Sequence, residues 1–236
     1  MFRALTVILL LAFCISAQAD DYSPYLYKVY DFRPAPGQFI NETPEYESGD
    51  TPEQTRQKVE DYLANDNRSL VSLGAWGGYI VFGFDHPVVN VKGQNDFRIQ
   101  GNAFLPSETG LEGGLKGGSS EPGIVLVAFD ANGNGLPDDD WYELAGSEYG
   151  SKGTIHDYEI TYFKPADDTE DIRWEDNHGA TGYVYRNVFH TQPYWPEWIG
   201  EETLTFSGAR LADNYSVVES GSNKYYIQEP YDWGYA

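Results

Sequence analysis

Apolar and polar positions change their period once along this chain. From Tyr22 to Phe39 aromatic residues mix with prolines and no period holds, which reads as an extended lead-in. Helical spacing follows: Val59, Tyr62 and Leu63 stand at i, i+3 and i+4. Thr51 suits the N-cap, Pro52 the first helical position and Glu53 the positive end of the dipole, while Asn65-Asp66-Asn67 closes the segment. Beyond it the spacing shifts to two, or to short apolar runs bounded by Gly, Asn, Asp and Pro. Strands are predicted at Leu70–Leu73, Tyr79–Phe84, Asp96–Gln100, Ile124–Phe129, Trp141–Ala145, Tyr158–Phe163, Gly182–Val188, Leu204–Phe206 and Tyr225–Gln228. Short strands so spaced predict an all-β fold, a jelly-roll-like β-sandwich with one short N-terminal helix. Gly110 to Gly118 reads as a glycine-rich loop.

The first residues change the picture of where the chain works. Leu5 to Ile15 is almost unbroken apolar sequence after Arg3, and Ala17-Gln18-Ala19 supplies the small residues that signal peptidase requires. Residues 1–19 are therefore expected to be a signal peptide and 20–236 a single domain, secreted to the cell surface or the periplasm. No later run approaches the ~20 apolar residues of a spanning helix, so no membrane insertion is expected. The single cysteine, Cys14, lies in the leader and follows Phe13, where a lipoprotein signal has a small residue. The mature domain is thus expected to stand without a disulfide. A net charge of −22 repels nucleic acids and anionic membranes, so a nucleic-acid partner is not expected. With 16% aromatic residues, core-forming material is plentiful and disorder is not expected.

The sharpest local chemistry runs from Asp130 to Asp140. Calcium takes roughly six to eight hard oxygens from carboxylates, amides and carbonyls. Asp130, Asn132 and Asn134 alternate as such a loop requires, Gly135 provides the turn, Leu136 offers its carbonyl and Asp138 holds the ninth position. The twelfth position, a bidentate Glu in an EF-hand, is Trp141, so Asp139, Asp140 or Glu143 would close the shell. Ca2+ is the expected cofactor, with a dissociation constant of about 10⁻⁴ to 10⁻³ M. Asn134-Gly135 is also a strong hairpin signal, and a plain acidic turn is the alternative.

Tyr183, Tyr185, His190, Tyr194, Trp195 and Trp198 form the candidate ligand platform, because exposed Trp and Tyr faces stack on sugars or flat cofactors. A core edge folded around Pro193 and Pro196 has the same composition; Trp76 among glycines likewise reads as platform or packed turn. The four histidines, His86, His156, His178 and His190, lack zinc spacing. Asp85-His86 and His156-Asp157 have the composition of acid–base pairs, but no nucleophile elbow accompanies them. Two of 37 acidic residues would suffice for a glycosidase, which makes that signal weak and a non-enzyme the expectation.

Several longer stretches carry a resemblance. They are Ser72-Leu-Gly-Ala-Trp-Gly-Gly-Tyr-Ile80 with Gly83-Phe-Asp-His86, Asp96-Phe97 with Gly101-Asn-Ala-Phe104, and Glu121-Pro-Gly-Ile-Val125 leading into the acidic loop. Trp141 to Tyr149, Tyr158 to Tyr162, His190-Thr-Gln192, Tyr194 to Trp198, Leu211-Ala-Asp213 and Asp232-Trp-Gly-Tyr-Ala236 continue it. The chain resembles the secreted "cell surface protein" domain of Bacteroidetes, often found with PKD-like modules. The resemblance implies a surface or envelope role, in some cases beside vitamin B12 uptake components, and carries no catalytic residues. The expected function is a non-catalytic binding module for a glycan, a corrinoid-like small molecule or an envelope protein partner. An accessory subunit of an envelope assembly and a carbohydrate-active hydrolase are the alternatives.

Overall fold

The first strand owes its place to an extra residue. In β1 (Lys28–Arg33), Val29 and Phe32 are both buried although three positions apart. A bulge lets them share a face: Val29 pairs with Phe82 and Asp31 with Val81 of β2 (Tyr79–Gly83), leaving Tyr30 unopposed. A computed structural model describes residues 22–66, 68–104, 118–220 and 223–236. The expected signal peptide, Asn67 and nearly all of the glycine-rich stretch lie outside the described residues.

The helix forms where expected, as α1 (Pro52–Leu63). Thr51 accepts from the Gln54 backbone N–H and the Gln54 side chain accepts from Thr51 N–H, a complete capping box. Val59 is fully buried and Leu63 packs against the core, whereas Tyr62 is exposed, so the buried stripe is narrower than the spacing suggested. Glu60 Oε2 accepts the Val29 N–H at 2.9 Å and Arg56 donates to the Val29 carbonyl, tying the helix to β1.

The main sheet is antiparallel, in the order β10 (Thr203–Arg210), β7 (Ile155–Phe163), β8 (Ile172–Asp176), β9 (Thr181–Val184). Its strands alternate cleanly. Tyr158, Ile160, Tyr162, Ile172, Leu204 and Phe206 face a core shared with Val29, Phe32, Val59, Tyr194, Trp195 and Trp198, while Glu159, Thr161, Arg173, Glu175 and Thr205 stay outside that core. Short pairs complete the fold: β3 (Ala103–Phe104) with β4 (Ser119–Ser120), β5 (Leu126–Ala128) with β6 (Trp141–Glu143), and β11 (Tyr215–Ser220) with β12 (Asn223–Gln228). The described residues form an all-β fold with one short helix.

Two expected strands are absent. Residues 70–73 give their backbone bonds singly to different partners, Ala35 N–H to Leu73 O and Ser72 N–H to Thr43 O, so no ladder forms. They lead into a turn so tight that a Cβ on Gly78 would lie 1.8 Å from the Leu73 carbonyl, and one on Gly77 would lie 2.4 Å from Phe206. Residues 96–100 alternate correctly but pair with no strand among the described residues, and Asp96 instead caps Val91 N–H at 2.8 Å. Among the described residues no helix is long and apolar enough to cross a membrane.

Candidate functional site

Asp130 to Asp140 joins β5 to β6 at the end of a two-stranded ribbon. Gly133 and Gly135 adopt φ of 72° and 71°, which reverses the chain twice and turns alternate side chains inward. Asp130 accepts N–H bonds from Asn134 at 3.1 Å and Gly135 at 2.9 Å. Asn132 Oδ1 accepts Asn134 N–H and Asn134 Oδ1 accepts Leu136 N–H. Asp138 accepts the side-chain amides of Asn132 at 3.2 Å and Asn134 at 3.0 Å. Four of the expected ligands, Asp130, Asn132, Asn134 and Asp138, are thereby bound into one small network of oxygen-bearing groups, with Leu136 at its edge.

The acids proposed to close the shell are placed differently. Asp139 accepts Ala131 N–H at 3.1 Å, across the loop mouth. Asp140 is exposed. Glu143 is half-buried and its charge acts on Tyr235, whose phenol is pushed up first by burial and then by the charges of Glu148 and Glu143. Glu143 thus belongs to the neighbourhood of the C-terminal segment. Among the described residues no three His, Cys, Asp or Glu side chains stand together as a ligand group. The loop's donor set is two carboxylates and two amides, all hard oxygens of the type calcium takes, and in that respect the residues fit the ion. The exposed apolar side chains around the loop had escaped notice: Phe129 is 78% exposed and Tyr142 63%, with Leu136 and Trp141 beside them. Their signal was an apolar residue at each end of an acidic turn.

The aromatic platform does not assemble as expected. Tyr194, Trp195 and Trp198 are 3%, 2% and 5% exposed and belong to the core. Asn41 explains why. Its amide donates to the carbonyls of Pro193 and Trp195, both at 2.9 Å, and its oxygen accepts Glu197 N–H at 3.0 Å. This clamp folds residues 193–197 inward, and Trp198 stacks beside Phe32. His190 is half-buried, edge-on to Phe39 with ring centres 4.7 Å apart. Tyr183 and Tyr185 remain open, 50% and 73% exposed, tilted against each other with ring centres 6.1 Å apart. Trp76 packs edge-on to Tyr158 and is a packed turn.

Asp85 and His86 do meet, Oδ1 to Nδ1 at 2.6 Å, with Tyr22 stacked on the imidazole. Ser23 N–H and then His86 hold the Asp85 carboxyl below its ordinary range. The pair ties the start of the described chain to the end of β2. His156 bonds the Tyr149 carbonyl. No protein-family model matches the chain, and a search of curated proteins finds no match.

Proposed function

We propose that the chain is a secreted or cell-surface binding module without catalytic activity, of the jelly-roll-like β-sandwich class, in which calcium orders a ligand-facing ribbon tip. The observation that carries this reading is the convergence of Asp130, Asn132, Asn134 and Asp138 on one another beside solvent-exposed Phe129 and Tyr142. Those four side chains and the Leu136 carbonyl would hold the ion, offsetting carboxylate repulsion and fixing the loop between two short strands. The aromatic side chains at the same tip then present stacking surface to a glycan, the ligand class favoured over a corrinoid-like molecule because Tyr194, Trp195 and Trp198 of the expected platform are buried. The resemblance to the surface-protein domain supports the extracellular setting. An accessory role in an envelope assembly is the second reading, favoured by Val89, Val188 and Phe189, which are 70%, 80% and 87% exposed.

Thermal unfolding across a calcium titration, with magnesium as control, tests the calcium part. At about 100 times the dissociation constant, binding contributes about 2.7 kcal/mol. For a domain of this size that raises the midpoint by about 5–10 °C. Magnesium should not reproduce the rise, and Asp130→Ala should abolish it. A midpoint indifferent to calcium reduces the loop to an acidic hairpin. Glycan-array binding measured with calcium and with chelator then tests the ligand class.

A further inference from the structure

A second cavity lies against the Tyr231–Ala236 segment, lined by parts of three of the stretches that carry the family resemblance, at residues 101–104, 121–125 and 232–236. This segment is anchored at several points. Ala236 exchanges two backbone bonds with Gly123, at 2.8 and 2.9 Å, and Ser147 N–H donates to the Trp233 carbonyl at 3.0 Å. Close approach fixes it further: a Cβ on Gly101 would lie 2.7 Å from Ala236, and one on Gly146 would lie 2.5 Å from the Tyr235 ring. Between the segment and residues 101–103 and 120–122 is a cavity of about 260 Å³. Sites for drug-sized molecules run to about 300–1,000 Å³, so this one suits a single small group.

The lining chemistry is selective. Tyr231, Trp233 and Tyr235 contribute three aromatic rings, and Glu121 and Asp232 two carboxylates, with Asn102 beside them. Both phenol oxygens are engaged elsewhere, Tyr231 donating to the Ala212 carbonyl and Tyr235 accepting Glu148 N–H at 2.9 Å. The tyrosine hydroxyls are thus committed, and the two rings lie tilted beside the cavity with centres 5.1 Å apart. Among the described residues Glu121 accepts only the Ser119 hydroxyl, at 3.3 Å, and no Lys, Arg or His lines the cavity. Ring faces attract cations through their quadrupole, and the attraction grows as water is removed. Paired with carboxylates on a chain of net charge −22, they disfavour anions.

We propose that this cavity binds a small organic ammonium ion, with Trp233, Tyr231 and Tyr235 around the cationic head and Glu121 and Asp232 balancing its charge. The proposal stands independently of the calcium loop. Its test is calorimetric titration of the whole chain with choline, alongside 3,3-dimethylbutanol, which replaces the charged nitrogen by carbon, and glucose. Choline should saturate, and the neutral isostere should bind at least about tenfold more weakly. Trp233→Ala should weaken choline about tenfold, Trp233→Phe much less, and Asp232→Asn about threefold or more. Trp233 is 62% exposed, so its replacement leaves the fold intact, and an unchanged unfolding midpoint verifies that. Should the alanine variant fail to fold, the Phe and Asn variants carry the comparison. Equal binding of the isostere, preference for glucose, no saturation by choline, or choline binding unchanged in Trp233→Ala would each overturn the proposal.

Discussion

Asn41 is 7% exposed and makes three hydrogen bonds to the Pro193–Glu197 turn, so a single amide holds three core aromatic residues in place. Asn41→Ala leaves the buried Trp195 carbonyl and the part-buried Pro193 carbonyl and Glu197 N–H without their partner, at a cost of about 2–4 kcal/mol. A fall in the chemical-denaturation midpoint, with unchanged slope, is the expected result. A cost under about 0.5 kcal/mol would mean that water replaces the bonds. None of this was legible in the sequence. Asn41 sits between Ile40 and Glu42 without any pattern, and its partners are more than 150 residues away. The aromatic residues at 194–198 were legible as important but not as buried, because a core edge and a ligand platform share one composition. The acidic loop was legible as a turn because its oxygen-bearing side chains are neighbours in sequence.

Elements were readable where local rules and packing agree. The helix carries its own cap and proline, and β7 and β10 alternate with a buried face over residues 158–163 and 203–207. The bulge in β1 breaks that period, and β8 has only Ile172 and Trp174 between polar residues, so both escaped. Residues 96–100 show the converse: alternation predicts a strand only if a partner strand is at hand. The N-terminal turn of α1 also carries a pH response. Asp50 is bonded to Lys58 at 2.7 Å, and this bond, with Glu47 N–H, holds its carboxyl below the ordinary value of 3.8. A lowered folded-state value means that the contribution is present above that ordinary value and is lost as pH falls through the lower, folded one. Lys58 is raised above 10.5 by the same bond, so its share is lost only as pH rises beyond that. Helical circular dichroism under mild denaturant should therefore fall with acidification below about pH 4, and Asp50→Asn should flatten that limb. An identical acid limb in the variant would assign the loss to other carboxylates.

At the scale of the whole molecule, the core is assembled from distant parts. Val29, Phe32 and Val59 share one core with Leu204 and Phe206, and although the helix packs on β1, the rest of that core comes mostly from residues 158–206. The Asn41 clamp gives this a consequence in time. At about 5–20 residues per second, translation takes roughly 8–30 s to get from Asn41 to the carbonyls it must bond. Through that interval the emerging polypeptide lacks the Tyr194, Trp195, Trp198, Leu204 and Phe206 part of its core, and it is expected to stay threadable. Stalled ribosome complexes ending before Pro193 should be digested by a limiting protease across residues 28–63, and complexes whose exposed portion extends beyond Arg210 should be protected. Protection of the shorter chains would mean that the N-terminal strand and helix fold by themselves. If they do not, folding waits for nearly the last strand, and whatever holds the nascent chain open until then, be it a chaperone or a translocation pore, has the whole of that interval in which to act.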